Sequence, residues 1–114
     1  MTRGLRWFLL SWAFSAVAVA AAPAPTIDMN GRTALVTGST SGLGEVVARR
    51  LGSMGATVII HGLDENRGRA IAAEITAAGP GRASFQPGDF SSLEEVRRLA
   101  ARVRAEHPRL HLLV

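Results

Sequence analysis

Three glycines, Gly38, Gly42 and Gly44, with Ser39, Thr40 and Ser41 between the first two, are the residues of this chain whose types and spacing can do chemistry. Glycine lacks a Cβ, so it enters the left-handed backbone region and lets backbone N–H groups approach a ligand closely. The run Thr33, Ala34, Leu35 and Val36 stands just before the turn and reads as a buried parallel strand, and an amphipathic segment follows. Strand, glycine turn and helix start together aim the first unpaired N–H groups of the helix, and the positive end of its dipole, at one point. The chemistry such a point offers is the binding of a phosphate.

Spacing narrows the kind of phosphate. A Walker A loop requires G-x-x-x-x-G-K-[ST], but no lysine follows Gly38 and Glu45 stands directly after the last glycine, which argues against a nucleoside triphosphatase. The general fingerprint G-x-G-x-x-G does not fit either, because the glycines run G-x-x-x-G-x-G. The string Thr37-Gly38-x-x-x-Gly42-x-Gly44 resembles the cofactor loop of the short-chain dehydrogenase/reductases, in their ordinary rather than extended branch. The resemblance runs from Asn30 to Val114 and stops just before the place where an Asn-Asn-Ala-Gly segment would follow the fourth strand.

That resemblance implies NAD or NADP as the cofactor, held by Gly38, Ser39, Thr40, Ser41, Gly42, Leu43 and Gly44. The Leu43 backbone N–H would lie near the pyrophosphate, while its side chain is equally well read as core. Asp89, followed by Phe90, matches the family's aspartate that contacts the adenine ring; the ordinary alternative is an Asx turn before Ser91. Asp64 lies 20 residues after Gly44, where an acid can accept hydrogen bonds from ribose hydroxyls and favour NAD, but it can equally cap a helix. The family's discriminating positions fall on Gly62 and Leu63, which carry neither the acid expected for NAD nor the arginine expected for NADP, and Ser41 is neutral as well.

Absences set the limits. The chain has no tyrosine and all 13 of its basic residues are arginine, so the Tyr-x-x-x-Lys pair that the family would use for proton transfer cannot be drawn from it and no residue is assigned a catalytic role. There is no cysteine, and His61, His107 and His111 lack metal-ligand spacing, so no metal site is expected. Glu94 and Glu95 read as helix-entry charges rather than a carboxylate pair for hydrolysis. The net charge of +4 comes from arginines interleaved with acids, aromatics are few, and no nucleic-acid interface is expected.

The elements that must position the loop follow from periodicity. Residues 1–22 combine a basic start (Arg3, Arg6) with the uncharged run Trp7 to Ala22, the layout of a secretory signal peptide or a membrane anchor; a wrongly chosen upstream start is the third reading and gives a cytoplasmic protein. Residues 23–29 read as a linker, and 30–114 as the N-terminal part of a Rossmann-like, doubly wound parallel α/β sheet cut after the start of its fourth strand.

Within that part, Leu43, Val46, Val47, Leu51 and Met54 form a helical stripe with Arg49 and Arg50 opposite, closed by Gly55. Thr57 to His61 is a second strand, and Asp64 opens a helix with Ile71, Ile75 and Ala78 inward, stopped at Gly79-Pro80. Arg82 to Gln86 is a third strand. Ser91-x-x-Glu94 is a capping box for a helix bearing Val96, Leu99, Ala100 and Val103, which His107-Pro108 ends. Leu110 to Val114 starts a fourth strand, with the order 3-2-1-4 across the sheet and an apolar outer edge.

Two functions remain open on these residues. The first is the cofactor-binding part of an oxidoreductase that moves a hydride between the nicotinamide and a small-molecule carbonyl or alcohol, with possible membrane association through the N-terminus. The second is a non-catalytic dinucleotide-binding or interaction module, or an inert truncated product.

Overall fold

The computed structural model describes residues 26–114. The expected leader over 1–22, and residues 23–25 of the expected linker, lie outside the described residues. Four strands alternate with three helices: β1 (Thr33–Val36), α1 (Gly42–Ser53), β2 (Thr57–Gly62), α2 (Glu65–Ala78), β3 (Arg82–Pro87), α3 (Leu93–Glu106) and β4 (Leu112–Leu113). All pairings are parallel, as the alternation predicts, and the order is β3-β2-β1-β4, as the Rossmann-like reading expects.

Side chains on a strand alternate between faces, so the apolar runs of β1 and β2 supply two cores at once. Ala34, Val36, Val58 and Ile60 point to one face, where Leu51 of α1, Ile71 and Ile75 of α2 and Phe85 of β3 close over them. Leu35 and Ile59 point to the other and meet Leu99 and Val103 of α3. Helices thus cover both faces of the sheet, which is the doubly wound arrangement.

The inward stripe of α1 differs from the expected one. Leu43 and Val46 are exposed, and the buried residues are Ala48, Leu51 and Gly52, with Val47 packed against the core. The reason is the closeness of the helix. A Cβ on Gly44 would overlap the Gly38 carbonyl oxygen, and one on Gly52 would overlap Ile75. The helix therefore turns its small residues to its neighbours and carries Leu43 and Val46 to the side. Met54 stands just beyond the helix, and Gly55 takes φ +97 there as the closing glycine. Arg49 does not lie idle on the outer face; it bridges Glu45 of its own helix and Glu74 of α2.

In α2, Ile71 and Ile75 are buried as expected, but Ala78 is exposed and Gly68 and Ala72 take the inward places. β3 runs one residue further than predicted, to Pro87. The capping residue of α3 is Ser92, not Ser91: its hydroxyl accepts from the Glu95 N–H at 3.4 Å. Ser91 cannot serve because its own N–H is held by the Asp89 carboxylate at 2.9 Å, which keeps it inside the preceding turn. Val96 is half-buried and Ala100 is exposed in α3, and β4 is shorter than Leu110 to Val114.

Gly68 gives a test of this packing. A Cβ there would overlap the Phe85 ring. Gly68→Ala gains helix propensity of about 1 kcal/mol but must displace a core ring, which typically costs about 1–3 kcal/mol. The expected outcome is a lower denaturant midpoint in the single variant and a restored one in Gly68→Ala/Phe85→Leu; a single variant more stable than the parent would contradict the packing.

Candidate functional site

The strands' C-terminal ends open into a cleft of about 480 Å³ lined by Thr37, Gly38, Thr40, Ser41, the β2 end from His61 to Leu63, and Gly88 to Ser91. It is built from the glycine turn upward. Gly38 and Gly42 take φ +59 and +55, left-handed values that L side chains rarely adopt, and between them Ser39 is fully buried. The Ser39 hydroxyl donates to the Val36 carbonyl at 2.7 Å and accepts from the His61 N–H at 3.0 Å, while its own N–H donates to the His61 carbonyl at 2.8 Å. These bonds rivet the turn to the ends of β1 and β2. Ser39 therefore belongs to the scaffold beneath the cleft, and its polar atoms are committed there.

The turn delivers the start of α1. Ser41 is the N-cap residue, but its side chain makes no capping bond, and the first helix N–H with a partner near it is that of Glu45, donating to the Ser41 carbonyl at 3.3 Å. Among the described residues, nothing accepts from the N–H groups of Gly42, Leu43 and Gly44. The other two helices are capped, α2 by the Asp64 carboxylate on the Arg67 N–H at 2.9 Å and α3 by Ser92. An uncapped helix end with free donors and a positive dipole end fits an anion such as a pyrophosphate. Leu43 has its N–H at this helix start, and its side chain, 79% exposed, is not core. Gly44 does not crowd the cleft itself: its missing side chain is what lets α1 seat against the Gly38 carbonyl.

Across the cleft, Asp89 is held in an Asx turn, one oxygen accepting from the Ser91 N–H and its own N–H donating to Glu95 at 2.8 Å. Asp89 thus forms the Asx turn and also lies on the cleft wall. The backbone N–H of Ser91, then its hydroxyl, hold the carboxyl below the usual carboxylate range. The sign follows: that turn contributes fully above the ordinary carboxylate pKa and fades as the pH falls through the lowered value. Phe90 is half-exposed and stacks on His61, with ring centroids 4.1 Å apart and planes 14° from parallel.

His61 has no role in the sequence reading beyond ending the second strand. It is 5% exposed; its Nε2 lies 2.9 Å from the Gly88 carbonyl, and its Nδ1 accepts from the Gly38 N–H at 3.3 Å. A carbonyl only accepts, so the proton sits on Nε2 and the Nδ1 lone pair faces Gly38. One ring thus ties the glycine turn to the Gly88–Phe90 wall. The only signal in sequence was a histidine at the end of a strand that otherwise reads as apolar. Asp64 is the cap of α2 and does not line the cleft. Gly62 does line it, with Thr40 packed where a side chain at that position would be. His107 and His111 lie away from the cleft, and among the described residues no cluster could hold a metal ion.

A family model described as short chain dehydrogenase matches residues 32–114. The chain belongs to the short-chain dehydrogenase family. This family member is 45% identical over 85 residues to mouse (Mus musculus) polyprenol dehydrogenase, an alignment covering 74% of this chain and 25% of that protein. It is 40% identical over 80 residues to a 3beta-hydroxysteroid dehydrogenase of Mediterraneibacter gnavus, covering 70% and 29%. Among solved structures, a metagenomic short-chain oxidoreductase in complex with NADP superimposes with TM-score 0.71 at 39% identity, over 75% of this chain and 38% of that one. Pseudomonas aeruginosa RhlG, in its NADP active-site complex, gives 0.72 at 34% identity, over 79% and 34%. The short-chain dehydrogenase chain described here spans 25% to 38% of the length of these four proteins.

His61→Ala removes both ring bonds and the Phe90 stack. Losing such contacts typically costs about 1–3 kcal/mol, so dinucleotide affinity is expected to fall roughly 5- to 150-fold. Calorimetric titration checks this, and an affinity within twofold of the parent would show that His61 does not order the cleft.

Proposed function

We propose that this chain is the cofactor-holding part of an NAD(P)-dependent oxidoreductase acting on a small-molecule carbonyl or alcohol. The observation that carries the reading is the uncapped start of α1: three N–H groups without a partner among the described residues, directly after the Thr40 and Ser41 wall of the cleft, in a fold whose other helices are capped. When bound, the nicotinamide cofactor carries the hydride to or from the substrate carbon. Gly42, Leu43 and Gly44 would bind the pyrophosphate through backbone N–H groups, Thr40 and Ser41 would line its approach, and Asp89 and Phe90 would hold the adenosine side. Gly38 and Ser39 keep that cradle in shape.

The cleft lining favours neither cofactor strongly. Asp89 is its one carboxylate and it contains no arginine, while Gly62, Leu63 and Thr40 would face the ribose. NAD and NADP should therefore bind with similar affinity. The chain itself supplies no proton donor of the family's kind, since it has neither tyrosine nor lysine. This favours, for the 114 residues alone, the second reading, a dinucleotide-binding module without turnover.

Residues 1–22 are proposed to export the protein or anchor it to a membrane, the cytoplasmic alternative being a wrongly chosen start. Among the described residues no helix is long and apolar enough to cross a membrane.

The 114-residue chain should bind NAD and NADP in the micromolar-to-millimolar range, a few charge-assisted bonds of about 1.5–3 kcal/mol each offsetting the cost of association. It should show no turnover of alcohols or carbonyls, because general acid–base help of about 10²–10⁴-fold is missing. Gly44→Val should abolish binding by lifting α1 off the turn, and Asp64→Asn should leave it near the parent value. Titration calorimetry and absorbance at the reduced nicotinamide band measure these; unchanged binding in Gly44→Val would remove the cradle reading.

A further inference from the structure

In a parallel sheet all strands start at one end, and here that end lies opposite the cleft. Exposed arginines gather on it: Arg32 just before β1, Arg82 opening β3, Arg109 just before β4, and Arg50 and Arg104 in the last turns of α1 and α3. None of these five is in an ion pair among the described residues, whereas Arg49, Arg67, Arg69 and Arg98 all are; of the other two, Arg102 donates to Gln86 and Pro87 and Arg97 is also outside the ion pairs. The acids at this end are Asp28 and Glu106, and each is engaged, Asp28 by the Asn30 N–H and Glu106 by the Gln86 amide.

Arg50 and Arg104 have a local reason to be there, since a helix C-terminus attracts cations. Arg32, Arg82 and Arg109 stand outside helices and have none. Arg82 and Arg109 flank one concave strip: a hollow of about 470 Å³ holding Arg82 adjoins one of about 390 Å³ holding Arg109, with Gly31, Thr33 and His107 common to both. At the same end Ile27, 60% exposed, lines a hollow with Arg50 and Met54, and in sequence it follows the uncharged apolar stretch Trp7 to Ala22.

We propose that this basic end is a docking surface for the anionic headgroups of a phospholipid membrane, with Arg32, Arg82 and Arg109 as its contacts and the cleft facing away from the bilayer. Unpaired cations beside an exposed apolar residue suit a membrane surface, where basic side chains are drawn to anionic lipid and an apolar residue enters the headgroup layer. A nucleic acid fits less well, because the aromatic stacking surfaces it uses are missing from this end. The proposal goes beyond the dinucleotide reading and is independent of it.

The test is co-sedimentation of the full 114-residue chain with vesicles of phosphatidylcholine alone and of phosphatidylcholine with phosphatidylserine. The parent should bind the serine-containing vesicles more tightly, and added salt should erase the difference. Arg32→Gln/Arg82→Gln/Arg109→Gln should lose that increment, roughly fivefold per arginine. Arg67→Gln/Arg69→Gln/Arg98→Gln, with the same change in net charge, should keep most of it. Equal losses in the two triple variants, no preference for phosphatidylserine in the parent, or tighter binding to a single-stranded RNA oligonucleotide than to the vesicles would each overturn the proposal. If the first triple variant melts before the assay temperature by circular dichroism, the single variants Arg82→Gln and Arg109→Gln are read on the same scale, and no loss in either counts against the surface.

Discussion

The approach of α1 to the glycine turn governs the rest of this molecule. The Gly38 carbonyl occupies the space that a side chain on Gly44 would fill, so the helix can sit directly on the end of β1. Ser39, buried beneath, supplies bonds to both flanking strands and makes the seat rigid. From that seat follow the direction of the free N–H groups, the sideways displacement of Leu43 and Val46, and the nearness of α1 to α2 at Gly52 and Ile75. Small residues at contact points let a backbone dipole do work that a side chain would otherwise do.

Beside this seat lies a network that joins α1 to α2, with exposed arginine ends around a Glu45 side chain that is largely covered. Glu45 receives both Arg49 and Arg67, with Arg49 also reaching Glu74. The hydrogen bond from Arg49, with Arg67 adding to it, keeps the Glu45 carboxyl below the usual carboxylate range. Such surface pairs individually contribute little. Their position counts for more: Glu45 stands in the first turn of α1, and two guanidinium groups offset a negative charge that would otherwise compete with an anionic ligand at the helix start.

Much of this was legible in the sequence, for stated reasons. Alternating apolar strands and helical stripes fixed the element order, whereas the arrangement 3-2-1-4 came with the Rossmann-like resemblance, because the same alternation also suits other doubly wound orders. The glycine spacing located the turn. What was not legible depended on contacts between distant residues. The rotation of α1 is set by Gly44 and Gly52 meeting residues on other elements, so a stripe drawn from hydrophobicity alone put Leu43 and Val46 inside. The shift from Ser91 to Ser92 turned on Asp89 holding the Ser91 N–H, although both serines have a glutamate three residues on. His61 could not be read as the tie between two loops, because its partners Gly38 and Gly88 lie 23 and 27 residues away.

β4 adds a consequence in time. β1 to β3 and the two helices between them pair with near neighbours along the chain, but β1 also pairs with β4, and Thr37 at the cleft is bonded by both its N–H and its hydroxyl to the Val114 carbonyl, 77 residues on. Closing so long a loop costs entropy before any contact repays it, and contacts of high sequence separation are the slow ones. The bonds among the glycine turn, Ser39 and His61 draw only on β1, β2 and the segment between them, whereas those of Thr37 wait for the chain after β4. The glycine turn is therefore the more local part of the cleft, and the wall at Thr37 the less local one.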